Sequence, residues 1–266
     1  MRRKFPNLKQ KVFMKIPRLI RRKIKNVRSV REFVNTYNPT IDYLLDNILD
    51  SKNGRVVLDI GANEGQTIDW AISYFDKPLI YSFEPTPDLF KILKKKYSDF
   101  ENVKLFNIAL SDFKGKANFY ISKYSPTNSL LEANNNLYDK FDKQLSKTLS
   151  SSDEIEVTVD TLENWANNNL SDKAIDLLKS DTQGNEFNVI RGGDFIRNKV
   201  KIIVFEVQYL DFYKGSIPFY KTYELLYQNG FYLFSAFGGN RVNKIQLIEN
   251  NAVFLNKNYF DVVVKR

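Results

Sequence analysis

Short apolar runs alternate with segments of helical spacing along most of the chain. Residues 56–60 and 79–83 have the length and apolar character of buried strands, and helical spacing connects them up to about residue 75. A second helical segment, 88–97, and a third apolar run, 103–108, continue the alternation. Strands that alternate with helices in this way predict βαβ units and a parallel sheet.

A polar insertion interrupts the alternation. Two apolar runs, 116–122 and 154–159, read as extra strands on either side of residues 123–153, which are rich in Ser, Asn and Lys. Loops of this length without their own structure are usually lids, binding loops or disordered segments.

Further apolar runs complete the pattern after the insertion. Residues 174–179 and 201–207 indicate two more buried strands with a helix between them, and 231–236 with 251–256 suggest a closing hairpin. The predicted fold is therefore α/β, a doubly wound, mostly parallel sheet with an antiparallel edge.

The first 50 residues differ from the rest and predict a basic helical extension in front of a main domain at 51–266. Residues 18–34 carry apolar positions at helical spacing with basic residues between them, and 41–49 suggest a second helix. The first of these helices either packs its apolar side on the main domain or contacts an anionic membrane surface or a lipid-linked substrate.

Composition restricts the chemistry. The chain has no Cys and no His, so disulfides and thiolate metal sites are excluded, and acid–base work falls to Asp, Glu, Lys or Tyr. Thirteen of the 40 basic residues lie within residues 1–31, where there is no acidic residue, so the net charge of +9 describes an arm on a slightly acidic body. A nucleic-acid-binding face spread over the fold is not expected. Without a membrane-spanning run or a signal sequence, we expect a cytoplasmic protein, peripheral to the membrane if the arm binds there.

A glycine-containing turn follows the first strand. Asp59 is followed by Gly61, Ala62, Asn63 and Gly65, and a helix begins after this turn. Glycines here let the backbone approach a ligand at the carboxyl edge of the sheet. The spacing G-x-x-x-G after a carboxylate differs from the dinucleotide fingerprint, and Asp59 would repel a pyrophosphate. A cationic ligand with an ammonium and a sulfonium fits better.

A second acid, Glu84, ends the next strand 25 residues after Asp59. An acid in this position of an open α/β sheet accepts hydrogen bonds from ribose hydroxyls. Pro85 then ends the strand, and Ala109, after the third strand, is expected to offer backbone groups to an adenine edge. The sequence thus predicts a nucleoside-containing cofactor.

Six motifs in one order resemble those of the FkbM-type methyltransferase family. They are VVLDIGANEG, SFEPTP, NIALSD, VDTL, LLKSDTQGNEFNVIRGG and IIVFEV, between about residues 55 and 210. The resemblance implies a Rossmann-like class I fold, S-adenosylmethionine as cofactor, and acceptor hydroxyls of sugars or secondary metabolites. Gln183 stands where the family often has an acid, and Ser180 where it has an apolar residue.

Asp181 and Glu206 are the candidate catalytic residues, because each is expected at the carboxyl end of a central strand beside the cofactor. The Asp181 carboxylate could also bind the cofactor. The two carboxylates could act as base and orienting group, or share a Mg²⁺ that lowers the pKa of the acceptor hydroxyl. The reaction expected is methyl transfer to a hydroxyl, of a sugar in a glycan or glycolipid.

Simpler structural roles compete for several of these residues. Asp181 could cap the next helix, and Glu186 could hold a turn by a structural hydrogen bond. Lys179 is expected only to flank its strand, and the stretch 128–129, Asn-Ser, is expected to line the acceptor pocket.

Two other functions remain open at this point. A nucleic-acid or protein methyltransferase would explain the basic arm, but the fourth-strand motif lacks the Asn/Asp-Pro-Pro-aromatic signature of many N-methyltransferases. A non-catalytic interaction module of the same fold is the other alternative, against which the intact residues Asp59, Gly61, Glu84 and Asp181 argue.

Overall fold

A computed structural model of the chain describes residues 40–141, 150–170, 173–194, 196–242 and 245–261. The chain divides after Ile48 into two compact units. The described part of the first unit contains helix α1 (Ile41–Ile48), close to the helix predicted at 41–49. The amphipathic helix predicted at 18–34 lies outside the described residues, so its two alternative roles stay predictions.

The second unit contains a seven-stranded sheet, counted over the described residues, with the strand order β3-β2-β1-β7-β8-β10-β9. Its strands are β1 (Val56–Ile60), β2 (Leu79–Phe83), β3 (Val103–Phe106), β7 (Ile175–Ser180), β8 (Val200–Gln208), β9 (Phe231–Val242) and β10 (Gln246–Asn256). The first five pair in parallel, and β10 pairs antiparallel with both β8 and β9. The predicted α/β sheet with an antiparallel edge is confirmed.

Helices connect the strands and cover the sheet. They are α2 (Gln66–Tyr74), α3 (Pro87–Lys96), α4 (Asn135–Phe141), α5 (Leu162–Asn169), α6 (Glu186–Arg191), α7 (Ile196–Lys199) and α8 (Phe219–Gln228). Helix α3 shows why such segments are helical: Pro87 occupies its first turn with Asp88, and three lysines occupy its last turn. Both charges are favourable to the helix dipole. Leu93 is the residue that α3 buries.

A smaller sheet of three strands, in the order β4-β6-β5, is formed around the insertion. Its strands are β4 (Ala109–Ser111), β5 (Gly115–Ser122) and β6 (Ser151–Thr161). The insertion has structure of its own, a 3₁₀ turn (Ser125–Thr127) and helix α4. Within it, residues 142–149 are outside the described part of the chain.

An aromatic cluster anchors the core under the carboxyl ends of the parallel strands. Trp165 of α5 packs edge-on against Phe83 of β2 and Phe106 of β3, with ring centroids 4.8 and 5.4 Å apart. Phe83 and Phe106 stack with their centroids at 5.2 Å. Edge-to-face and offset contacts of this kind add to the free energy gained by burial. The cluster fixes the strand ends from which the candidate site is built.

No helix among the described residues is both long and apolar enough to cross a bilayer.

Candidate active site

A cavity of about 370 Å³ lies at the carboxyl edge of the parallel strands. The predicted cofactor residues that line it are Gly61, Ala62, Asn63, Glu84, Pro85, Ala109 and Asp181. Apolar side chains, among them Phe83, Leu89 and Leu130, form part of the same wall. A site with mostly apolar walls and a few converging polar groups is typical of small-molecule binding.

Gly61 brings the loops after β1 and β7 into contact. Its φ is +90°, in the left-handed region, and a Cβ atom at this position would lie 2.0 Å from the backbone oxygen of Asp181. The Asp181 N–H donates to the Ile60 oxygen at 2.9 Å, which joins the same two loops. Glycine is therefore required for this close approach of backbones.

Glu84 is buried and its carboxylate holds two loops. One oxygen accepts from the Asn63 N–H and the other from the Thr86 N–H, each at 2.8 Å. Burial raises the pKa of Glu84, against these hydrogen bonds. Each carboxylate oxygen retains acceptor capacity. Glu84 can therefore accept two further hydrogen bonds from a diol such as a ribose.

Asn107 is a support for this region that the sequence analysis did not single out. Its side-chain amide donates to the backbone oxygens of Glu84 and Pro85 at 2.8 and 2.9 Å. It thereby fixes the loop that contains Glu84, the residue predicted to bind a ribose.

Asp59 and Gly65 do not line the cavity. Asp59 is fully buried, and the Ser82 hydroxyl donates to its Oδ2 at 2.8 Å. Burial raises the pKa of Asp59, while Lys179, its register partner on β7, acts in the opposite direction. Gly65 lies against Tyr97, whose hydroxyl donates to the Gly65 oxygen at 2.9 Å. Both residues support the turn from behind.

Lys179 lines the cavity, although the sequence analysis expected it only to flank its strand. Its Nζ lies 3.2 Å from Asp181 Oδ2. Burial lowers the pKa of Lys179, but the charges of Asp181 and Asp59 outweigh burial, so its pKa is raised and the lysine stays charged. The sequence contains a signal for this position: Lys179 is two residues before Asp181, and residues two apart on a strand point to the same side.

Gln183 connects the two predicted catalytic acids. Its Nε2 donates to Asp181 Oδ1 at 2.8 Å and to Glu206 Oε2 at 2.9 Å, and the Tyr213 hydroxyl donates to its Oε1 at 2.8 Å. The orientation of the amide follows from these partners, because two carboxyl oxygens on one side require the N–H₂ group there. Gln183 itself has a φ of +56°.

Glu206 lies in a different place from Asp181. It does not line the large cavity but a second, smaller one. Burial, and then the charges of Asp181, Glu249 and Glu186, raise the pKa of Glu206 to about 9. Because Glu206 lies outside the large cavity and its burial favours the protonated form, it is less suited than Asp181 to accept a proton from a substrate bound there.

A shared Mg²⁺ between Asp181 and Glu206 is not supported. The Gln183 amide donates to both carboxyls, so a hydrogen-bond donor lies where a bridging ion would need oxygen ligands. Among the described residues there is no cluster of three or more acidic, His or Cys side chains that could hold a metal.

Structural roles apply to Glu186 but not to Asp181. Glu186 accepts from the N–H and the hydroxyl of Thr182 at 2.7 and 3.0 Å and from the Gly184 N–H at 3.0 Å, which closes the turn before α6. Its burial raises its pKa to about 7. The N-cap position of helix α6 is Asn185, whose side chain makes no capping hydrogen bond. Asp181 is therefore not the helix cap, and its carboxylate bonds only to side chains among the contacts described.

The insertion supplies another part of the cavity wall. Tyr124, Ser125 and Asn128 line it, and Asn63 Nδ2 lies 3.3 Å from the Ser125 hydroxyl. Ser129 is fully buried, and its hydroxyl donates to the Gln183 backbone oxygen at 2.7 Å. Of the predicted pair, Asn128 thus reaches the cavity and Ser129 supports the turn behind it.

Comparison with known proteins agrees with this geometry. Residues 59–233 match the methyltransferase FkbM domain, and the chain belongs to this family. It is a methyltransferase of the class that uses S-adenosylmethionine. The chain is similar to the 2-O-methyltransferase NoeI of Sinorhizobium fredii, with 24% identity over 230 residues, 82% of this chain and 88% of the relative.

Two solved structures are similar in backbone to part of this chain. A fibrillarin pre-rRNA processing protein of Methanococcus jannaschii has a TM-score of 0.43 and 13% identity, over 77% of this chain and 67% of its own. The fibrillarin of Aeropyrum pernix, with natively bound S-adenosyl-L-methionine, has a TM-score of 0.42 and 13% identity, over 80% of this chain and 73% of its own.

The residues present fit S-adenosylmethionine. Glu84 offers acceptors to a ribose diol inside the cavity. Two acidic residues, Asp181 in the cavity wall and Asp59 behind it, surround one basic residue, Lys179. An electronegative, partly dry cavity favours a cationic ligand.

Proposed function

We propose that the protein transfers the methyl group of S-adenosylmethionine to a hydroxyl oxygen of a sugar in a glycan or glycolipid. One observation carries the proposal: the carboxylate of Asp181 lines the cofactor cavity and is held by Lys179 and Gln183. In a chain without histidine or cysteine, and with Lys179 of the same cavity held charged, a carboxylate is a suitable base. The name of the relative, a 2-O-methyltransferase, supports oxygen as the methylated atom.

The chain's own residues have two tasks in this reaction. When bound, S-adenosylmethionine would supply an activated methyl group and leave as S-adenosylhomocysteine once its sulfur–methyl bond is broken. Glu84 would hold its ribose, and Gly61 lets the backbone lie against it. The apolar wall excludes water from the reacting groups.

Asp181 has the second task. Its two oxygens are oriented by Lys179 and Gln183, which leaves a lone pair directed to an acceptor hydroxyl. Asp181 orients that hydroxyl and accepts its proton as the oxygen–methyl bond forms. Lys179, with its Nζ 3.2 Å from Oδ2, helps to hold the carboxylate in place.

The test is methyl transfer by the purified protein from labelled S-adenosylmethionine to a panel of methyl glycosides and oligosaccharides, with the methylated atom located by mass spectrometry. We expect Asp181→Asn to lower turnover by about 10²-fold or more, because the amide keeps the shape but takes up no proton. The Kd for the cofactor should change little.

Asp99→Asn, at an exposed acid, is the matched control. Wild-type turnover in Asp181→Asn would remove the assigned base. Methylation of nitrogen in a protein or nucleic acid, with no sugar methylated, would contradict the proposed acceptor. Comparison of surface glycans from cells with and without the gene, again by mass spectrometry, identifies the natural acceptor.

A further inference from the structure

A second cavity lies at the carboxyl end of β8, next to the catalytic carboxylate. It has a volume of about 30 Å³, and Glu206, Gln208 and Phe219 are among its lining residues. Gln183 connects it to the cofactor cavity, since its side chain bonds both Glu206 and Asp181. Asp181 of the large cavity and Glu206 of the small one are therefore both within hydrogen-bond distance of the same amide group.

Gln208, one of the lining residues, has a buried acceptor without a partner. Its Nε2 donates to Glu206 Oε2 at 3.1 Å, while its Oε1 is buried and bonds to no described residue. A buried amide oxygen without a donor costs free energy, so such atoms in folded proteins call for an explanation. A ligand that donates a hydrogen bond would satisfy it.

The lining offers no positive charge to an anionic ligand. Glu186, Glu206 and Asp211 belong to the described lining, which contains no Lys or Arg. A phosphate or carboxylate would therefore find no cationic partner among these residues. Ser216 and Thr222 add hydroxyl groups, so the cavity suits a neutral, hydroxyl-bearing group.

Aromatic rings continue the cavity outward. Phe219 contacts Tyr209 and Tyr223, with ring centroids 6.2 and 6.3 Å apart. Both tyrosines are exposed, at 44% and 38%. Exposed aromatic faces beside hydrogen-bonding groups can pack against the apolar C–H face of a sugar ring while polar edges take its hydroxyls.

We propose that the second cavity binds an exocyclic hydroxyl or hydroxymethyl group of the sugar residue next to the one that is methylated, so that the protein selects oligosaccharides over single sugars. The volume has room for about two groups of the size of water and not for a whole ring. The ring of that neighbouring sugar would then lie against Phe219 and the exposed tyrosines. This inference rests on the proposed function, because it assigns a subsite to the same acceptor.

The test compares methyl glycosides with the corresponding trisaccharides as acceptors for wild type and for Gln208→Leu. We expect Gln208→Leu to raise the KM for a trisaccharide about 5- to 20-fold, the change for one lost hydrogen bond to a buried group, with the KM for the methyl glycoside unchanged. Gln228→Leu, the same change at an exposed position at the end of α8, is the matched control. Phe219→Leu should show the same selectivity if Gln208→Leu is poorly folded.

Saturation-transfer NMR of the same trisaccharides, on protein saturated with S-adenosylhomocysteine, separates this inference from the proposed function. Binding that weakens in Gln208→Leu without any methylation would support the subsite and contradict the proposed reaction. Equal KM values for the two acceptor sizes, or trisaccharide binding that Gln208→Leu leaves unchanged, would overturn the subsite. The absence of trisaccharide binding to the wild type would overturn it as well.

Discussion

Gly61 joins two loops of the cofactor cavity at a distance that no other residue allows. Replacement by alanine adds a Cβ atom 2.0 Å from the Asp181 oxygen and imposes a left-handed φ on a non-glycine residue. We expect Gly61→Ala to lower the free energy of unfolding by about 2–5 kcal/mol, since the strain and the overpacking add. Urea denaturation measures it.

The matched control for this prediction is Gly54→Ala. Gly54 also has a positive φ, +65°, but no atom lies within 4 Å of its added Cβ. Gly54→Ala should therefore lower the free energy of unfolding only by the backbone strain, about 1–2 kcal/mol. Equal destabilisation by both variants would show that the contact with Asp181 is not rigid.

Glu84 combines a ligand role with a structural one. We expect Glu84→Ala to weaken S-adenosylmethionine binding by about 1–3 kcal/mol, the scale of lost charge-assisted hydrogen bonds. The variant should also melt at a lower temperature, because the N–H groups of Asn63 and Thr86 lose their acceptor. Calorimetric titration of a variant that is folded at the working temperature checks the affinity. An unchanged Kd would refute the ribose assignment.

At the scale of elements, the turn between β7 and α6 depends on the neutral amide of Gln183. Gln183→Glu places a third carboxyl between Asp181 and Glu206 in a partly buried site. Like charges at this distance repel, so the variant should be less stable than wild type at pH 8. Three carboxyls also form the oxygen-rich set that divalent cations bind.

We therefore expect about 5 mM Mn²⁺ to raise the melting temperature of Gln183→Glu but not that of wild type, because a ligand that binds the folded state stabilises it. Gln228→Glu, at an exposed position, controls for the added charge. An identical response to Mn²⁺ in all three proteins would mean that Gln183 does not separate the two acids.

The order of the elements was largely predictable from the sequence. Buried parallel strands are near-continuous apolar runs, and β1 and β2 follow this rule apart from Asp59 and Ser82. The glycine turn and Glu84 could also be predicted, because each directly follows an apolar strand. Helix α8, in contrast, was not predicted. Much of its exposed surface is tyrosine, whereas Leu226 is fully buried in the core.

The interior of the site was less predictable, because it depends on register and on long-range contacts. Lys179 acts on Asp59 through the register of β7 against β1, which a single sequence does not contain. In the sequence, Gln183 is only a departure from the family pattern. In the structure, its side-chain oxygen accepts a hydrogen bond from the hydroxyl of Tyr213, 30 residues away. The sequence predicts a loop for the insertion, whereas the structure ties it to distant residues, as by the hydrogen bond from the Ser129 hydroxyl to the Gln183 backbone oxygen.

At the scale of the whole molecule, buried acids link stability to pH. Burial raises the pKa of Glu186 to about 7 and, with neighbouring acids, that of Glu206 to about 9. In the unfolded chain both groups lose their protons near pH 4.5. Between those values the folded state binds more protons than the unfolded state, so stability is greatest at low pH within this window and falls as pH rises. Each such carboxyl contributes a slope of up to about 1.4 kcal/mol per pH unit.

Glu206→Gln tests this linkage, because the amide resembles the protonated carboxyl and its oxygen can still accept from Gln183 and Gln208. The variant should match wild type near pH 5 and be more stable than wild type between pH 7 and 9, where only the wild type must keep a proton on a buried acid. Urea midpoints measured at intervals from pH 5 to 9 give the two curves, and Glu101→Gln at an exposed position is the control. Curves for wild type and Glu206→Gln that run parallel across the whole range would show that Glu206 ionises alike in the folded and unfolded chain. Glu206 would then again be a candidate base beside Asp181.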